Sequence, residues 1–317
     1  MNRRPSGNFN WRHWLNLLIA AMIALSLSFT GLTLWFSYQH AQAYLHPARL
    51  YASGELLRQN DIPYQSIELV TEDGLRLAAW YTPPQNGAVI LVAHGYGDKR
   101  PEEFYALFAS HGYGVLVWDF RAHGDSEGDF SSLGYYEVMD VKAALDYALA
   151  QPGVKHVGGW GGSMGAVAMI RAAAEYPEME AVVSDSAFPT LEDVYQLNVP
   201  VPVLQPLIRF FAERGTGISL EAVRAVDEIG SISPRPIFII DGWSGAAVEM
   251  NAPYRLYDAA KEPKRIWVGQ GVPHLNMYPY NRGQYAKRVI QFFNEYLLNK
   301  TVIRLHPACC SACYTCS

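Results

Sequence analysis

The chain has 317 residues, half of them hydrophobic and 17% charged, enough for one α/β domain of about 250 residues with an appendage and unlike a disordered or fibrous composition. A formal net charge of -5 gives no electrostatic ground for a nucleic-acid partner. All four cysteines (Cys309, Cys310, Cys313, Cys316) fall at the very end, so the body has neither a disulfide framework nor a thiolate metal site, and residues 300–317 read as an unstructured tail.

Residues 1–13 carry Arg3, Arg4 and Arg12 and read as a cytoplasmic amino terminus. The uncharged run Trp14 to Phe36 is long enough, at about 1.5 Å per residue, to cross a hydrocarbon core of about 30 Å. The arginines before it outnumber Arg49 after it, which places the body outside the cytoplasm by the positive-inside rule. Ala41-Gln42-Ala43 has the form of a cleavage site, but the run exceeds the usual signal-peptide core, so it reads as an uncleaved single-pass anchor. Residues 37–63 then read as a juxtamembrane linker with some local helix, and 64–299 as the globular domain.

Within that domain Ser66 to Thr71 and Leu75 to Thr82 alternate around Glu72-Asp73-Gly74, a hairpin pattern. Ala88 to Ala93 is a continuous apolar run, as a strand buried on both faces requires, and it ends at His94-Gly95-Tyr96-Gly97. A helix (Glu102 to His111), a second buried strand (Val115 to Trp118) and the loop Asp119 to Gly124 follow. Val138 to Ala150 has helical spacing, and a strand from His156 to Trp160 leads into Gly161-Gly162-Ser163-Met164-Gly165 before a helix from Ala166 to Glu175. Ala181 to Ser184 is another strand, ending at Asp185. Prolines at 200, 202 and 206 and a helix from Val203 to Arg214 interrupt the alternation, which predicts a short helical cap over about 189–235. Pro236 to Ile240, Tyr254 to Ala260, Arg265 to Val268 and Tyr285 to Leu298 complete a mostly parallel, doubly wound α/β sheet.

Gly161-x-Ser163-x-Gly165 between a strand and a helix describes a nucleophile elbow, and Ser163 is the candidate nucleophile. A serine hydroxyl needs a base, and His274 lies in a loop after the last strand, downstream of the elbow. The backbone N–H groups of Tyr96 and Met164 are the candidate oxyanion donors. His123 reads as a residue that fixes its loop. No metal or cofactor is implied, and the expected substrate is a small molecule with an ester or amide bond.

His94-Gly95, Asp119-x-Arg121-x-His123-Gly124-x-Ser126, the elbow and the His274 loop, in this order, resemble an α/β-hydrolase of the serine aminopeptidase-like and esterase-like group. The resemblance covers about residues 64–299 and implies hydrolysis through an acyl-enzyme. In such proteins His-Gly-x-x-Asp after the penultimate strand supplies an aspartate that orients the histidine. Here the segment is Asp241-Gly242-Trp243-Ser244-Gly245, so Gly245 occupies the acid's place. Replacement acids are Asp185 first and Asp241 second. The same departure motivates the alternative of a hydrolase-fold protein that has lost turnover and binds a ligand or partner.

Overall fold

A computed structural model describes residues 10–199, 201–243 and 247–299. Gly245 and the cysteine tail lie outside the described residues, as do Arg3 and Arg4. The order of elements is helix α1 (Trp11–Leu45), α2 (Glu55–Gln59), the hairpin β1 (Gln65–Val70) and β2 (Arg76–Thr82), then β3 (Ala88–Ala93), α3 (Glu102–Ala109), β4 (Gly114–Trp118), α4 (Glu137–Leu149), β5 (His156–Gly162), α5 (Met164–Glu175) and β6 (Met179–Asp185). The cap carries α6 (Leu191–Asn198), α7 (Gln205–Thr216) and α8 (Ala225–Glu228) with short 3₁₀ turns. It is followed by β7 (Ile237–Trp243), α9 (Ala247–Ala259), β8 (Lys264–Gln270), α10 (Met277–Tyr280) and α11 (Arg282–Phe293).

The eight strands form one sheet in the order β1-β2-β4-β3-β5-β6-β7-β8. The β1–β2 and β2–β4 pairs are antiparallel and every other pair is parallel. The buried runs read from the sequence are buried because helices cover both faces. Val89, Leu91 and Ala93 of β3 enter the core with α4 and α5, while Ala88, Ile90 and Val92 enter the opposite core with α3 and α11. Strands β4 and β5 flank β3 on either side, so the chain reverses its direction of winding there. The carboxyl ends of β3 and β5 therefore open a crevice, the place where α/β sheets bind ligands.

Two features depart from the sequence reading. The amino-terminal helix continues nine residues beyond Phe36, because Ser37 to Leu45 contains neither proline nor glycine and the first breaker is Pro47. The remainder of the expected linker is stitched to the body. Arg49 donates to the carbonyls of Gly124, Ser126 and Gly128, and the Glu102 carboxylate accepts from the N–H groups of Ser53, Gly54 and Leu56.

Candidate active site

Strand β5 ends at Gly162 and α5 begins at Met164, so Ser163 alone makes the turn, with φ 52° and ψ -116°. Positive φ in a non-glycine residue costs of order 1–3 kcal/mol and persists only where the surroundings impose it. They do so here through the two flanking glycines. A Cβ on Gly161 would stand 2.4 Å from the Gly165 carbonyl oxygen, and one on Gly165 would stand 2.5 Å from that of His94. The spacing G-x-S-x-G is thus the condition for α5 to start against β3 and β5 at all.

Opposite the elbow, His274 Nε2 lies 3.0 Å from Ser163 Oγ, although 111 positions separate them in the chain. Both side chains line a largely apolar cavity of about 670 Å³ shared with Tyr96, Met164, Asp241 and Leu275. As the first residue of α5, Met164 has no preceding turn for its N–H to bond. The Tyr96 N–H belongs to a turn that two buried histidines hold. His94 Nε2 accepts from the Phe120 N–H at 3.0 Å, so its proton sits on Nδ1 and is donated to the Gly95 carbonyl at 2.7 Å. His123 Nε2 accepts from the Gly97 N–H at 2.9 Å while Nδ1 donates to the Arg121 carbonyl. Burial first, then the neighbouring His123, pushes His94 down to about 3, and burial lowers His123 as well. Both rings are neutral at neutral pH and spend their nitrogens on backbone, which leaves them no part in proton transfer.

The rest of the Asp119-to-Ser126 loop is framework too. Asp119 is ion-paired with Arg100 at 3.3 Å and Arg121 with Asp140 at 2.7 Å. Ser126 Oγ donates to the Asp119 carbonyl and accepts from the Ala78 N–H.

Asp185, at the end of β6, is buried beside the elbow, and its carbonyl accepts the Ser163 N–H at 2.8 Å. Its carboxylate bonds elsewhere than His274. Oδ2 accepts from the Tyr285 hydroxyl at 2.5 Å and Oδ1 from Ser186 Oγ at 2.8 Å. Ser186 Oγ in turn accepts from the N–H of Leu275, the residue after His274, at 3.2 Å. Burial raises the Asp185 carboxyl to about 6 against the lowering effect of those two hydroxyls. Asp241, in β7 two residues before its end, is buried and lines the same cavity as Ser163 and His274. Ser186 and Tyr285 went unnoticed in the sequence. Their only signals are adjacency to Asp185 for the first and a buried helical position for the second.

The sheet, the elbow and the placement of Ser163 against His274 define an α/β-hydrolase. A family model described as serine aminopeptidase, S33, matches residues 84–267, and the chain belongs to that family. An uncharacterized protein of Mycobacterium tuberculosis is 30% identical over 217 residues, covering 66% of this chain and 72% of its own length. Thiohydrolase aneE of Aspergillus aculeatus is 29% identical over 188 residues, 56% of this chain and 54% of the fungal protein. Among solved structures, the esterase Pf2001 of Pyrococcus furiosus superposes with a TM-score of 0.67 at 25% identity, covering 79% of this chain and 99% of that one.

Proposed function

We propose that the protein is a membrane-anchored serine hydrolase that cleaves ester or amide bonds through an acyl-enzyme. The observation that carries this reading is the 3.0 Å approach of His274 Nε2 to Ser163 Oγ on a serine whose backbone is turned toward the cavity. Ser163 Oγ attacks the acyl carbon as its proton passes to His274. The N–H groups of Tyr96 and Met164 receive the oxyanion, and His274 returns the proton to the departing alcohol or amine. Water then repeats the sequence on the acyl-enzyme. Asp185 supports the imidazole at one remove, through Ser186 and the Leu275 N–H, which fixes the backbone next to His274. The similarity to an esterase and a thiohydrolase favours acyl transfer over ligand binding without turnover.

Helix α1 contains the apolar run and is the one described helix long and apolar enough to cross a membrane, with a mean hydropathy of 2.1 over its most apolar window. We read it as the anchor, with the hydrolase body outside the cytoplasm. Protease added to intact cells should reach that body, and protection of the body with loss of the amino terminus would reverse the orientation. Labelling with a fluorophosphonate tests the chemistry. Wild type should take the label and Ser163→Ala should not; equal labelling would remove Ser163 from the mechanism.

A further inference from the structure

Helix α1 does not stop where its apolar run stops. Ser37, Ala41 and Leu45 lie four residues apart and are buried, and Ala41 and Leu45 pack on Val199, Ile208 and Ala212 of the cap. Tyr96 Oη donates to the Ala43 carbonyl at 3.1 Å, and the Ser131 N–H donates to that of Leu45 at 2.8 Å, so the open end of the helix is tied to both sides of the cleft. Tyr44 and Leu45 also line the cavity that holds Ser163 and His274. The anchor thus ends as a wall of the substrate pocket.

This continuity sets the height of the body above the bilayer. Leu45 is nine residues beyond Phe36, about 14 Å along the axis, and Tyr38 is about 3 Å beyond it. Helix α7 runs in the same sense as α1, since the Phe211 ring meets Tyr38 edge-on at 5.6 Å while Gly215 lies against Leu45. Residues before Phe211 therefore lie toward the hydrocarbon. On that stretch Leu204 and Ile208 pack on the cluster that holds Ala41 and Leu45, whereas Val203 is 80% and Phe210 56% accessible, and Val201 to Leu204 bears no charge. Val203, eight residues before Phe211, stands roughly 10 Å nearer the membrane than the Tyr38 level.

We propose that the cap tip, residues 201–204, dips into the bilayer that holds α1, and that the pocket takes its substrate from that bilayer: an acyl ester of an amphiphilic alcohol. The proposal rests on the anchor and nucleophile assigned above. Ser163 would take the acyl group as the ester C–O bond breaks and the alcohol leaves with the proton from His274. Water would then release the fatty acid.

The test uses the full chain in phosphatidylcholine vesicles, with the four tail cysteines changed to serine and a nitrobenzoxadiazole label on Val203→Cys or, as control, on Lys155→Cys at the opposite end of the sheet. Brominated phosphatidylcholine should quench the label at 203 and spare that at 155. No quenching at 203 overturns the docking, whatever the activity. The double variant Val203→Asp/Phe210→Asp should lose at least tenfold in turnover of a vesicle-borne palmitoyl ester while hydrolysis of p-nitrophenyl acetate stays within twofold. Equal loss on both substrates, or loss on neither, overturns the lipid substrate. A wild type that cleaves neither ester and takes no fluorophosphonate contradicts the hydrolase assignment and with it the lipid substrate, whereas the quenching still decides whether the cap docks.

Discussion

On the β5 side of the cleft, backbone sterics leave Ser163 one position: two glycines that admit no Cβ, a serine at positive φ, and an N–H held by Asp185. On the β6 side the backbone beside His274 is held through intermediaries, a carboxylate that reaches the Leu275 N–H by way of Ser186 and a tyrosine that reaches the carboxylate from a helix 100 positions away. The first side depends on local chain geometry and the second on contacts between distant segments. Substitutions should therefore be absolute on one side and graded on the other.

The largest effect sits where the two sides meet. His274→Ala removes the proposed base and should lower turnover by about 10⁴-fold, equivalent to between 5 and 6 kcal/mol, with an unchanged circular dichroism spectrum. Next comes the elbow itself. Gly165→Ala drives a Cβ into the carbonyls of His94 and Ala93, backbone atoms with no room to yield, and should cost about 3 kcal/mol or more in thermal unfolding. By contrast Gly283→Ala in α11 meets nothing within 4 Å and should raise stability by up to about 1 kcal/mol. Comparable destabilisation by both would mean that the elbow is not sterically locked.

The graded side is tested by Asp185→Asn. A carboxylate acting through Ser186 and a backbone N–H should be worth about 10- to 100-fold in kcat, well below the roughly 10⁴ typical of an acid bonded to the imidazole itself. A larger loss in Asp241→Asn than in Asp185→Asn would move the support to β7, where Asp241 shares the cavity with His274. The same variant has a pH signature. The Asp185 carboxyl rises from 3.8 to about 6 in the folded chain, so the folded state holds this proton more tightly than the unfolded state does. Stability from this group is complete below about pH 4, falls as pH rises to about 6, and is level above that, a change of about 3 kcal/mol. Subtracting the unfolding free energy of Asp185→Asn isolates it from Asp140, which burial raises in the same way. A difference that does not change with pH would show that Asp185 has an ordinary carboxyl.

The same contrast explains what the sequence made visible. Strands β3 and β4 were legible because burial on both faces demands unbroken apolar runs, and the elbow because its sterics demand glycine at fixed spacing. The loop motif from Asp119 to Ser126 marked the family, yet its residues turn out to hold one another and the Gly97 turn. The carboxylate's partners were not legible, since Ser186 and Tyr285 acquire their roles from packing between β6, α11 and the His274 loop. Nor was the reach of α1 to the pocket, because a helix written beyond an apolar run in ordinary helix-forming residues looks like a linker.

The central claim is that Ser163 carries the acyl group. Mixing the protein with p-nitrophenyl acetate, quenching in acid within milliseconds and mapping the digest by mass spectrometry should find acetyl on the peptide that contains Ser163. An unmodified Ser163 in an enzyme that is turning over, or acetyl on another residue at the same rate, would contradict the account.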